Sequence, residues 1–228
     1  MKMRNLVIPV LSLLLCVAGG SAHASLSFTP ANTFSGTAAA GFLTAAFTDV
    51  TGGVRLVITS DLASGENLDP GKAIYFNFNP LKYSILTNLS FSLTGNTNFS
   101  EAASVSKAVD DFKADGDGFY DIRFSYSPST KAFSTGQSQT YFISTGSGTV
   151  AASDFTTYLS EPGGGNGNWL AAAHVQGTPS GGGGSAWVGA TLTPVPVPAA
   201  LPLFGSGLAL LGVLRRRTEG TKRKKPVR

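Results

Sequence analysis

The sequence predicts an all-β fold, a single antiparallel domain of the β-sandwich or jelly-roll-like kind. Three observations carry that expectation. The chain of 228 residues holds 28 Gly and 15 Phe, is rich in Ser and Thr, and is only 13% charged. Phe and Thr suit a pleated, half-buried surface, and Gly suits the turns between short strands. Apolar residues alternate with period two. Ile74, Phe76 and Phe78 fall on one face of 74–79, and Tyr120, Ile122, Phe124 and Tyr126 on one face of 120–126, opposite Asp121, Arg123 and Ser125. That alternation marks a half-buried antiparallel strand. Finally, strand-like segments recur at short intervals with turn residues between them, as in sandwiches and jelly rolls.

In chain order, strands are predicted over 42–48, 54–60, 72–79, 83–94, 119–127, 140–144, 169–176 and 186–193. One helical turn is predicted over 154–160, with Ser153 or Asp154 as its N-cap. The glycine tracts at 163–167 and 181–184 lack the Lys and Ser/Thr of a phosphate loop. They read as loops between strands.

The two ends read differently from the middle. Lys2 and Arg4, an apolar run over 6–18, and Ala22-His23-Ala24 form the three parts of a secretory signal peptide, with an A-x-A cleavage site. The predicted mature chain starts at Ser25. A lipoprotein leader is the alternative, but Cys16 follows Leu15, where that signal has a small residue. At the other end, Pro194, Pro196, Pro198 and Pro202 impose an extended entry. An uncharged run over 199–214 follows, then Arg215, Arg216 and Arg217. As a helix these 16 residues would reach about 24 Å, short of a hydrocarbon core of about 30 Å. Arginines stop the span on the cytoplasmic side. The two ends therefore agree on topology, with the body outside and the tail inside. Three regions result: a signal peptide over 1–24, a β-rich secreted domain over 25–193, and a sorting tail over 194–228.

Charge follows the same division. Eight of the 17 basic residues lie in 215–228 and two precede residue 25, so the middle keeps seven against twelve acids and is net −5. A pI near 9.3 is thus a property of the tail and gives no reason to expect nucleic-acid binding by the body. The sole cysteine, Cys16, lies in the leader. The mature body has no disulfide, no thiol nucleophile and no thiolate metal ligand.

The tail, with Val195-Pro196-Val197-Pro198, the apolar run and the Arg triplet, resembles the PEP-CTERM sorting signal of Gram-negative bacteria, in its VPxPA-type variant. Val197 stands where that motif's central Glu would be, and the chain continues eleven residues past the triplet. A simple C-terminal membrane anchor is the alternative reading. The segments from Trp169 and from Ala114 also resemble the ectodomain of some exosortase-sorted proteins. The resemblance implies export by the Sec translocon, removal of the leader by signal peptidase, and transient tethering to the inner membrane. Cleavage by an exosortase-like membrane protease and delivery to the cell surface or extracellular matrix would follow.

Candidate chemistry in the body is sparse. Asp115, Asp117 and Asp121, alternating with Gly116 and Gly118, could wrap oxygen ligands around calcium. The EF-hand register fails, however, since Phe119 and Tyr120 hold the fifth and sixth positions counted from Asp115. A polar turn with Gly116 and Gly118 at positive φ is the competing reading. No other cofactor is expected. His174 is the one histidine after residue 24; without a G-x-S-x-G motif it reads as structural rather than catalytic. Trp169, Trp187, Tyr75, Tyr120 and Tyr126 read as core, with a sugar-stacking surface as the alternative. The expectation is an exported, non-enzymatic surface or matrix protein. The alternatives are a calcium-assisted carbohydrate-binding module of exopolysaccharide or biofilm, and a secreted hydrolase.

Overall fold

A computed structural model describes residues 23–127, 133–162, 168–179 and 184–193. Alternating apolar and polar residues lay down the strands β1 (His23–Gly36), β2 (Phe42–Val50), β3 (Gly53–Asp61), β4 (Asn67–Leu68), β5 (Ile74–Phe76) and β6 (Leu89–Thr97). They continue as β7 (Ser104–Lys113), β8 (Gly118–Ser125), β9 (Gln137–Thr145), β10 (Glu161–Pro162), β11 (Ala171–Thr178) and β12 (Gly184–Thr193). Every described pairing is antiparallel. β7 flanks β8; β10 and β5 share the other side of β8; then come β11, β12, β1, β2, β3, β9 and β6.

This sheet is nearly closed as a barrel or sandwich. Residues from both ends of the strand order meet in its interior: Phe91 of β6 packs edge-on against Phe124 of β8, with ring centres 5.5 Å apart. At the seam, Lys107 of β7 donates from Nζ to the Leu89 carbonyl at 2.5 Å and to the Thr87 carbonyl at 3.4 Å. A lysine laid over free carbonyls and a bulge in each seam strand blunt the two edges against foreign strands.

The interior is built from the alternating residues. Leu43, Ala45 and Phe47 of β2, Val54, Leu56 and Ile58 of β3, and Ala186, Val188 and Ala190 of β12 all join one buried cluster. Ile74, Phe76 and Phe78 join it together, as their spacing predicts. A second cluster lies on the other face of the sheet, formed by Tyr75, Phe112, Ala114, Tyr120, Ala172 and Trp187. Phe34 and the β7–β8 hairpin tip cover it. Gly116, at φ +93°, lies close enough to β1 that a Cβ there would come within 3.3 Å of the Phe34 carbonyl oxygen.

Several expectations need correction. Tyr120 does not share a face with Ile122, Phe124 and Tyr126; it belongs to the second cluster, while those three line the main core. The ladder is irregular there, because the β7–β8 register jumps between Lys107 and Phe112. The predicted strand over 72–79 shortens to three residues, since Pro70–Lys72 is a 3₁₀ turn capped by Asp69. The one over 83–94 begins with a helical turn, Tyr83–Leu86, and the strand starts only at Leu89. The turn expected over 154–160 sits earlier, at Ala152–Phe155, with Ala151 as its N-cap. Gly118 shows no positive φ. It is needed because a Cβ there would come within 2.1 Å of the Glu161 carbonyl oxygen on β10.

β1 and β7 carry no strand prediction at all. Pro30 interrupts β1, and the ladder tolerates it because the register shifts between Phe28 and Thr33. β7 carries four charged residues and buries only Phe112. Among the described residues no helix is long and apolar enough to cross a membrane. The predicted signal helix and transmembrane helix, and all but the last residue of the two glycine tracts, lie outside them.

Candidate functional site

The strand directions bring the first and last described residues to one end of the sheet. Ser25 pairs with Thr193, Ala24 with Phe47 and His23 with Thr48. Thr193 Oγ1 donates to the Ser25 carbonyl at 3.0 Å, and His23 Nδ1 lies 2.7 Å from Thr48 Oγ1. β5 leaves its ladder toward this same proximal end, and β8 enters from it.

An open cavity of about 360 Å³ lies at the proximal end, lined by Asn77, Tyr83, Asp110, Asp121, Ser160 and Glu161 among others. Its central group is the buried carboxylate of Asp121. Oδ2 accepts from the Phe78 backbone N–H at 2.8 Å and from the Tyr83 hydroxyl at 3.3 Å. Oδ1 accepts from the Asp110 backbone N–H at 3.0 Å. Asp110 can aim its N–H there because it adopts φ +48° inside the β7 bulge. Burial pushes the Asp121 carboxyl up, against the opposing pull of the two N–H donors and Tyr83. Asp110 is also raised, first by burial and then by the charges of Asp121 and Glu161. Tyr83 is raised by burial and by both aspartates. The cavity thus presents negative potential, and its chemistry favours hydrogen-bond donors and cations. Still, no set of three His, Cys, Asp or Glu among the described residues is gathered closely enough to hold a metal ion.

Asp115, Asp117 and Asp121 are not brought together as calcium ligands. Asp115 is exposed at the hairpin tip. Asp117 is buried and occupied: Oδ2 accepts from the Tyr120 hydroxyl at 2.6 Å and the Ser160 hydroxyl at 2.5 Å, and Oδ1 from the Asn168 N–H at 2.9 Å. Asp121 faces the separate cavity just described. Three internal N–H and O–H donors on each of Asp117 and Asp121 compete with a hard cation for the same oxygens.

His174 and Trp187 are cross-strand partners on the outer face, with rings stacked 4.6 Å apart. His174 Nδ1 lies 2.9 Å from Asp69 Oδ2, and Asp69 also caps the 3₁₀ turn through Gly71 N–H at 2.8 Å. The pair ties a turn to the sheet. Tyr75, Tyr120, Tyr126 and Trp187 are all buried, so four of the five aromatics offer no stacking surface. Trp169 lies flat over Gly189 and stacks on Phe34, ring centres 6.1 Å apart.

Of the processing residues, Ala24 is an interior position of the β1–β2 ladder. Ala22, Val195, Pro196, Val197, Pro198, Arg215, Arg216 and Arg217 lie outside the described residues. Tyr83 and Glu161 of the cavity carry no sequence signal, being distant in the chain from the acidic stretch they approach. Comparison of the chain with protein families, curated proteins and solved structures gave no match.

Proposed function

We propose that this chain is an exported, non-enzymatic cell-surface or extracellular-matrix protein. Its sandwich or jelly-roll-like body is handed to the surface by a PEP-CTERM-type tail. The leader over 1–24 directs Sec export, and the tail over 194–228 holds the precursor at the inner membrane until an exosortase-like protease cuts it.

The observation that supports this reading is one register pair. Ser25, the first residue after the predicted leader cut, lies opposite Thr193, two residues before the Val195-Pro196-Val197-Pro198 motif. Both membrane-directed segments therefore leave the body at one end of one strand pair. Trimming at those points would leave β12 intact and β1 intact from Ser25 onward. The carbohydrate-binding alternative loses its aromatic platform to the core. Mass spectrometry of the natural protein tests the proposal: the expected mature form begins at Ser25 and lacks 215–228. A mature form that retains Arg215, Arg216 and Arg217 would overturn the sorting reading.

A further inference from the structure

We infer that Asp115 is a site of spontaneous covalent modification, converting to isoaspartate in the folded protein, and that the fold spares the like pair two residues on. The chain holds only two Asp-Gly pairs, Asp115-Gly116 and Asp117-Gly118. Water is the one co-reactant. The backbone nitrogen of Gly116 attacks Cγ of the protonated Asp115 carboxyl and closes a five-membered succinimide. The carboxyl hydroxyl leaves with the amide proton as water. A water molecule then adds across one of the two ring C–N bonds. Opening at the main-chain carbonyl leaves the chain running through Cγ, with the mass of the protein unchanged. A glycine in second place favours the step, because no Cβ hinders the approach of nitrogen to Cγ.

The same dipeptide stands in two opposite settings. Asp115 and Gly116 are both exposed, and Gly116 adopts φ +93° at the hairpin tip. Among the described residues no donor holds the Asp115 carboxylate, and the Gly116 N–H meets no backbone acceptor. Both reacting groups are therefore free to meet. Asp117 and Gly118 are buried. The Tyr120 and Ser160 hydroxyls and the Asn168 N–H hold both oxygens of Asp117. Gly118 pairs with Pro162 of β10 and presses on the Glu161 carbonyl, where a Cβ would come within 2.1 Å of the oxygen. Ring closure at Asp117 must wait for local opening of the sheet.

Isoaspartate inserts one more carbon into the backbone, about 1.5 Å of added length. The tip has no slack to absorb it. The Ala114 N–H donates to the Gly118 carbonyl at 3.0 Å and the Asp117 N–H to the Ala114 carbonyl at 3.2 Å, while Gly116 lies against Phe34 and Ser35 of β1. Conversion at Asp115 therefore lifts the tip from Phe34 and loosens the cover over the cluster that holds Trp187.

The test ages the purified full chain in detergent micelles in mildly acidic buffer, once folded and once in guanidinium chloride. Peptide maps that separate isoaspartate from aspartate are read at 115, at 117 and at Asn166, whose Asn-Gly pair yields the same product with loss of ammonia. The expected result is similar conversion at 115 and 117 in denaturant. In the folded chain, 115 converts and 117 lags on the order of 100-fold, following its opened fraction. The aged parent should show red-shifted tryptophan emission. Asp115→Glu keeps the charge but requires a six-membered ring, so it should stay unmodified there and keep the emission of fresh protein. Equal rates at 115 and 117 in the folded chain, or no isoaspartate at 115, would overturn the assignment. A chain converted at 115 with unchanged emission would overturn the loosening of the tip.

Discussion

Asp110→Asn should stabilise this protein at neutral pH, an unusual outcome for a substitution beside a buried carboxylate. No described hydrogen bond ends on the Asp110 carboxylate; only its backbone N–H is used, toward Asp121. Asn keeps that N–H and tolerates φ +48° at least as well as Asp. What is lost is repulsion from Asp121 and Glu161, the charges that add to burial in raising this carboxyl. Asp110 is partly exposed, so solvent screens each repulsion to well under the buried limit. The gain is therefore about 0.5–1.5 kcal/mol, or about 1–5 °C in Tm for a domain of this size. The sign with pH follows from linkage. A carboxyl raised in the folded state holds its proton more tightly there than in the unfolded chain. Its contribution is complete below the ordinary carboxylate range and is lost as pH rises through the raised value. The Asn variant has no such loss, so the two proteins should be equally stable near pH 3 and diverge toward pH 7. Urea melts followed by tryptophan fluorescence measure this, and added salt should shrink the gap. A variant less stable than the parent at pH 7, or a gain undiminished at pH 3, would refute the electrostatic account of the cavity.

Three further outcomes are expected. Glu66 is buried and accepts from the N–H groups of Ala40, Gly41 and Ala63 at 2.6, 2.9 and 3.0 Å. Glu66→Ala leaves three donors without their partner and should cost about 3–5 kcal/mol; a urea midpoint within error of the parent would count against that clamp. Gly189→Ala places a Cβ 2.0 Å from the Trp169 ring. It should lift that ring off the sheet, red-shift the tryptophan emission and cost about 1–3 kcal/mol, whereas an unchanged spectrum would mean the ring does not rest there. Millimolar calcium should leave the Tm of the body unchanged, because internal donors already occupy Asp117 and Asp121. Stabilisation by more than about 2 °C would reveal selective binding to the native state and reopen the calcium reading.

Legibility in the sequence followed the strength of local pattern. β2, β3 and β9 were readable because each buries one face only, so period two survives in the residues themselves. β7 was not, because it is a seam strand with four charged residues whose one buried residue, Phe112, follows a bulge. β1 was obscured by Pro30 and by the predicted leader boundary, which falls after its second residue. The cavity was half visible. Asp110 and Asp121 stand in an acidic stretch, but the approach of Tyr83 and Glu161 follows from chain reversals that no local pattern encodes.

Alternation and composition were enough to determine an all-β body. These are properties of neighbouring residues, and local physics acts on them directly. Only the tertiary structure decided which acids would be satisfied internally, which aromatics would become core, and that Ser25 would lie opposite Thr193. Each of those depends on strand order and register, set by the simultaneous burial of side chains far apart in the chain.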